Sequence, residues 1–177
     1  EELQCRPDNI VYETLIKELS DSAHLLAMDS GIKVTVVNRY ENIQNENVQK
    51  SVWIDKVIVF NVAENLIANA LRFAKSEIQI SLTVDGETLE LSVQDDGAGF
   101  PQEILRKGAE PFFRPNENNV RANENNIRTN ENNEEGFHFG MGLYVCRLLC
   151  EKHNGSLKLQ NNSKGALVTA TFKISKS

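Results

Sequence analysis

The sequence predicts an α+β protein: a two-layer sandwich in which a mixed β-sheet is covered by helices on one face. Three observations lead there. Apolar residues recur at helical spacing in three separated stretches, 9–29, 54–75 and 140–153. Between and after them lie β-branched segments, and Asp85-Gly86 joins two of these as a tight hairpin. Such hairpins rule out a purely parallel sheet. With 177 residues, 40% of them apolar and 25% charged, the chain can bury one sizeable core.

Taken in order, EELQCRPD at 1–8 reads as a linker remnant, with Asp8 or Asn9 as the N-cap of a helix over 9–29. Gly31 is a plausible helix end, and Ile32 to Val37 is β-branched enough for a strand. A polar connection then leads through Val52-Trp53-Ile54 into the helix of 54–75, with Trp53 read as a packing residue. Ile78–Val84 and Thr88–Gln94 form the hairpin around Asp85-Gly86, and Pro101 opens a short helix, PQEILRK. From Gly140 to His153 the pattern is helical again, ending at Asn154-Gly155. Ser156–Gln160 and Ala166–Ile174 close the chain as a hairpin around NNSKG.

The helix of 54–75 carries two faces. Val59, Val62, Leu66, Ala70 and Phe73 fall within roughly a 100° arc, and Asn61, Asn65, Asn69 and Arg72 within about 80° elsewhere. A solvated face usually carries Lys and Glu, because Asn costs helix propensity. An Asn carbonyl is a hard, uncharged ligand suited to Mg²⁺ held by nucleotide phosphates, and its NH₂ donates to water or phosphate. The plainer alternative is an exposed face that happens to be rich in Asn.

Asp95-Asp96-Gly97-Ala98-Gly99 follows a strand directly. Its glycines permit close backbone approach to a planar ligand, and a carboxylate at the strand end accepts a hydrogen bond from an exocyclic amine; a simple turn is the alternative. Gly140-Met141-Gly142-Leu143 is expected at a helix start, where free amides and the dipole favour phosphate. Between them stands a tandem repeat, NENNVRA, NENNIRT, NENNEEG, over 116–136. Each unit offers at most one large apolar residue, whereas a heptad seam needs two, so it reads as a low-complexity loop. It places Arg114, Arg121 and Arg128 at a seven-residue interval. The repeat is either an expansion without a role or a phosphate-covering or partner-contacting lid.

Charge and cysteines narrow the classes. A net charge of −6 and a pI of about 5.2 argue against a broad nucleic-acid or anionic-membrane surface. No apolar run approaches the roughly 18 residues that span a bilayer, and no signal pattern opens the chain, so a cytoplasmic piece is expected. It begins at Glu1 rather than Met, which reads as a fragment of something longer. Cys5, Cys146 and Cys150 lack a metal-binding pattern and are expected as reduced thiols. Asn161-Asn162-Ser163 matches a glycosylation acceptor by chance.

ENLIANALRFA, DDGAGF, EPFFR and GMGLYVCRLLCEKHNG, in that order, resemble the N, G1, F and G2 boxes of the catalytic ATP-binding domain of sensor histidine kinases, in the GHKL ATPase superfamily. The resemblance covers about residues 9 to 175. It implies a Bergerat-type sandwich over 9–177, with ATP between the Asn helix and a lid at 115–137. It also implies roles: Asn69 on Mg²⁺, Asn65 near the phosphates or the metal's waters, Arg72 toward the phosphates, and Phe73 near the base. Asp95 would take the adenine amine, Gly97 and Gly99 would lie beside the base, and Arg114 would reach the γ-phosphate. Gly140, Gly142 and Leu143 would stand at the phosphate end. Asn69 and Arg114 would be the catalytic pair, with ATP and Mg²⁺ as cofactors.

The departures are His138, where the family often has another glycine, and the long repetitive lid. None of His24, His138 or His153 is followed by an acidic residue, so the phosphoacceptor histidine is expected elsewhere. The implied partners are the phosphoacceptor and dimerisation helices of a full-length kinase, whose relatives are usually membrane-anchored, and a response regulator. The alternatives are a nucleotide-binding regulatory module without phosphotransfer, or an ATP-hydrolysing GHKL machine. The last would normally carry a carboxylate where Asn65 stands; Glu64 points away from the Asn arc.

Overall fold

The computed structural model describes residues 4–39, 50–107 and 135–174. Strand β1 (Asp8–Val11) leads into helix α1 (Tyr12–Ala27), then β2 (Lys33–Arg39), β3 (Ser51–Ile54) and helix α2 (Lys56–Phe73). The hairpin β4 (Glu77–Asp85) and β5 (Thr88–Asp95), short helix α3 (Gln102–Lys107), helix α4 (Glu135–Lys152) and hairpin β6 (Leu157–Asn161) and β7 (Ala166–Lys173) complete it. Five strands form one sheet in the order β2-β4-β5-β7-β6, with β1 and β3 paired separately. In the large sheet β2 and β4 run parallel, whereas β4 and β5, β5 and β7, and β6 and β7 pair antiparallel. The sheet is mixed, as expected.

One face of the sheet is apolar because its strands alternate. Ile78, Ile80 and Leu82 on β4, Leu89, Leu91 and Val93 on β5, and Val168, Ala170 and Phe172 on β7 are buried. Val59, Val62, Leu66, Ile67 and Ala70 of α2 share their core. A fully buried Leu or Ile side chain contributes roughly 1.5–3 kcal/mol, so this layer contact is the main support of the fold. The intervening residues, Gln79, Ser81, Ser92, Gln94 and Thr169, are only half-buried, so the other face stays polar.

Helix α1 buries the stripe Tyr12, Leu15, Leu19, Ala23 and Ala27, and the Tyr12 hydroxyl donates to the Leu82 carbonyl at 2.8 Å. The expected helix start at Asp8 or Asn9 is displaced. Residues 8 to 11 instead pair antiparallel with β3, because Ile10 and Val11 meet Val52 and Ser51 across a strand pair. Val11 becomes the N-cap, without a side-chain hydrogen bond. Trp53 sits in β3 opposite Asn9 and is half-buried.

Helix α2 is held at its N-terminus by a buried cluster. Asp55 accepts from the Ile58 amide at 3.1 Å and from the Arg6 amide at 2.7 Å, while its own N–H donates to His153 Nε2 at 2.8 Å. His153 is 3% exposed and stands edge-on to Phe172. Helix α4 and β7 are thereby tied to the start of α2. Among the described residues, no helix is long and apolar enough to cross a membrane.

Candidate functional site

A cleft of about 360 Å³, counted to its open mouth, lies between α2 and the ends of β5 and β7. Leu66, Asn69, Ala70 and Phe73 line it from the helix, Val93 and Asp95 from β5, Gly99 and Phe100 from the following loop, and Ala166 and Val168 from β7. Apolar walls with a few placed polar groups fit a flat, partly polar ligand.

The Asn face is not uniform. Asn61 donates its side-chain NH₂ to the Val57 carbonyl at 2.9 Å, and Asn65 does the same to the Asn61 carbonyl at 2.8 Å. Both amides are therefore anchored one turn back, with the carbonyl oxygens left as acceptors. Asn69, the member that lines the cleft, makes no side-chain hydrogen bond among the described residues. Arg72, in the last turn, is exposed. Glu64 accepts from the Ser22 hydroxyl of α1 at 3.3 Å and so faces away from the cleft.

Asp95 ends β5 and is 6% exposed. Its Oδ1 accepts from the Gly97 amide at 2.8 Å and the Ala166 amide at 3.1 Å. Oδ2 accepts no hydrogen bond among the described residues, which leaves an oriented acceptor for a ligand's N–H. Gly97 is required by close approach: a Cβ there would stand 2.2 Å from the Phe73 carbonyl oxygen. Gly99 has φ +84°, a left-handed conformation that disfavours any side chain.

Asp96, the second carboxylate of the motif, does different work. It accepts from the Ser76 hydroxyl and from the amides of Ser76 and Lys75, the latter at 2.7 Å. These bonds, the Ser76 hydroxyl first, hold its carboxyl well below the usual range. The glycine loop is thus fastened to the chain leaving α2, beside Phe73.

One expectation is corrected. Gly140 and Gly142 do not open a helix, because α4 begins at Glu135 and contains both. No proline interrupts the preceding residues, so the helix continues upstream and the amides at 140 and 142 face carbonyls four residues back. Gly142 still faces the Asn helix, with Asn65 Oδ1 at 3.7 Å from a Cβ built on it. The Leu143 side chain is 1% exposed and belongs to the core. Arg114, the EPFFR motif and the repeat lie outside the described residues.

Structure adds residues that sequence reasoning left out. Val93, Ala166 and Val168 line the cleft because β5 and β7 are neighbours with Val93 opposite Val168. Their alternation was readable, but the pairing that joins strands so far apart was not. Phe100 and Asn161 belong here too: the Asn161 side-chain amide accepts from the Phe100 N–H at 2.8 Å and donates to the Phe100 carbonyl at 2.9 Å.

Comparison with known proteins agrees with this architecture. Residues 54–176 match the family described as histidine kinase-, DNA gyrase B-, and HSP90-like ATPase. The chain is 28% identical over 104 residues to the sensor histidine kinase CpxA of Escherichia coli (strain K12), covering 59% of this chain and 20% of that protein. It is 31% identical over 103 residues to the sensor histidine kinase GtrS of Pseudomonas aeruginosa, covering 58% of this chain and 18% of that one. The chain thus spans about a fifth of the length of these relatives. Among solved structures, the catalytic domain of the histidine kinase ThkA superposes with a TM-score of 0.68 at 18% identity, over 96% of this chain and 97% of that one. Full-length ShkA in complex with AMPPNP superposes at 0.65 and 16% identity, over 100% of this chain and 33% of the other. The chain belongs to the histidine kinase-, DNA gyrase B- and HSP90-like ATPase family, as an ATPase domain of the sensor histidine kinase type.

Proposed function

We propose that the chain binds Mg-ATP in the cleft and serves as the catalytic half of a two-component histidine kinase, delivering the γ-phosphate to a histidine on a separate dimerisation domain. The observation that carries this reading is Asp95: a carboxylate at the end of an apolar slot, with Oδ1 held by two backbone amides and Oδ2 without a hydrogen bond among the described residues. An adenine amine donates to such an acceptor, whereas the guanine oxygen at the same place is repelled. Leu66, Ala70, Phe73 and Val168 supply the apolar surface for the base.

Asn69 fits the metal, since its amide is on the cleft wall and uncommitted among the described residues; Asn65 and Gly142 mark the direction in which the phosphates extend. Bound Mg²⁺ supplies charge neutralisation on the transferring phosphoryl group. Arg72 and Arg114 add positive charge, and catalysis otherwise consists of positioning. No residue of the described site stands as a general base for water, because Glu64 is turned toward Ser22. That disfavours steady ATP hydrolysis.

A second reading, a nucleotide-binding module without transfer, draws on α4, whose early start encloses Gly140 and Gly142 in helix rather than freeing their amides. Calorimetric titration of ATP with and without Mg²⁺ comes first. Metal-sensitive binding supports the site, and no binding in either condition refutes it. Radiolabel transfer from ATP to a supplied phosphoacceptor domain then separates the kinase from the module.

A further inference from the structure

We propose that Asn161, at the end of β6, is a positioning residue for the nucleotide base: its side-chain amide clamps the backbone of Phe100 and thereby shapes the loop that closes the base pocket. The inference rests on the nucleotide reading above and adds to it a residue 61 positions from the glycine motif, outside all four motif boxes.

A primary amide carries an acceptor oxygen and an NH₂ donor on a planar fork, so it can pair with both backbone groups of one residue, as the C=O and N–H of a neighbouring strand would. Asn161 uses it in that way. Oδ1 accepts from the Phe100 N–H at 2.8 Å and Nδ2 donates to the Phe100 carbonyl at 2.9 Å, so the residue after Gly99 is paired without any β-ladder. Phe100 is buried, and both Phe100 and Gly99 line the base cleft. The fit is close: a Cβ on Gly99 would lie 2.8 Å from Asn161 Oδ1. Gly99 is therefore constrained twice, by its left-handed backbone and by the amide lying over it.

The turn beyond Asn161 continues the same wall. Asn162 Oδ1 accepts from the Lys164 amide at 2.9 Å and the Gly165 amide at 3.2 Å, and its Nδ2 donates to Gln94 Oε1. Gln94 in turn donates to the Ala166 carbonyl at 3.0 Å, and the Ala166 amide donates to Asp95 at 3.1 Å. One side of the β6–β7 turn, Asn161, therefore holds Phe100, and the other, Ala166, holds Asp95. These two residues flank the glycine loop, so the hairpin turn sets its span. The glycosylation-like Asn161-Asn162-Ser163 is explained as a structural device, with the Asn161 amide engaged at both atoms.

The side chain offers little alternative chemistry. Aspartate retains the acceptor for the Phe100 N–H but sets a second oxygen against the Phe100 carbonyl. Alanine removes both bonds. Glutamine adds a methylene where Gly99 leaves no room.

The test is competition binding of ATP and of inorganic tripolyphosphate, with Mg²⁺, to wild type, Asn161→Ala and Asn161→Asp, with amide hydrogen exchange at Phe100 followed in each without nucleotide. The clamp acts on the base pocket alone. ATP affinity is expected to fall about tenfold in Asn161→Ala and to a similar extent in Asn161→Asp, with tripolyphosphate affinity unchanged and Phe100 exchange accelerated. Equal ATP affinity in wild type and both variants overturns the proposal, as does parallel loss of ATP and tripolyphosphate binding, which would mark a general structural defect. Should wild type bind no ATP, the nucleotide reading falls separately. Unchanged Phe100 exchange in both variants would in that case overturn the clamp itself.

Discussion

Asp95 and Asp96 are adjacent, identical in chemistry and opposite in use. Asp95 is buried, and half of its carboxylate is committed to backbone amides. Asp95→Asn keeps an acceptor for those amides but replaces the free oxygen with a donor facing the amine. Adenine over guanine preference should drop by about tenfold or more in nucleotide competition, the value of a charge-assisted hydrogen bond; retained preference would remove the assignment. Asp96 is fully engaged with Ser76 and Lys75 and its folded pKa lies below its ordinary value near about 3.9. A depressed carboxylate stabilises above the unfolded pKa and loses that contribution as pH falls through the folded one. Asp96→Asn should therefore lower the midpoint of urea unfolding at pH 7 and converge on wild type in strong acid. A constant difference across pH would mean that the charge is irrelevant. Asn69→Ala should weaken Mg-dependent ATP binding about tenfold or more while the melting temperature stays close to wild type. Equal metal dependence would sink the ligand role.

At the scale of elements, helix α2 works because one face is committed to the sheet and the other is released from it. Its N-terminus depends on a residue 98 positions away, since the Asp55 N–H donates to His153 Nε2. Nε2 as acceptor places the proton of a neutral imidazole on Nδ1. His153→Phe would leave a buried backbone N–H unpaired, at a cost of about 1–3 kcal/mol in chemical unfolding. A change near zero would mean that water reaches Asp55. The nearby thiols report the same helix pair. Burial pushes Cys146 and Cys150 up to about 12, and both lie in the core against α2. A thiol reagent at neutral pH should modify Cys5 first, and the other two only at the rate at which α4 separates from α2.

For the whole molecule, ligand and fold are linked by mass action. ATP at about 100 times its dissociation constant should add about 2.7 kcal/mol to stability, visible as a thermal shift that requires Mg²⁺. GTP at the same concentration should shift it less. The global arrangement also explains where the sequence was a poor guide. The reading of β-branched segments and turn residues located β2, β4, β5, β6 and β7 to within a few residues, because both signals are local properties. It missed β1 and β3, which are only four residues each and exist through pairing with one another. It placed the start of α4 at Gly140, where the helical apolar pattern begins, whereas the helix continues from Glu135.

The sequence by itself determined the α+β class, the two-faced helix with Asn65 and Asn69 on one side, and the position of Asp95 at a strand end. Periodicity, turn chemistry and motif order are all written within short windows. Tertiary structure decided which parts of that chemistry share a cleft. Val93 meets Val168, Asp95 meets Ala166, and Phe100 meets Asn161 only once β5, β6 and β7 lie in one sheet. It also distinguished Asn69 from Asn61 and Asn65, whose amides turn back onto their own helix, and Asp95 from Asp96. Those distinctions depend on which hydrogen-bond partners folding brings within reach, a property of pairs distant in the chain that no local pattern encodes.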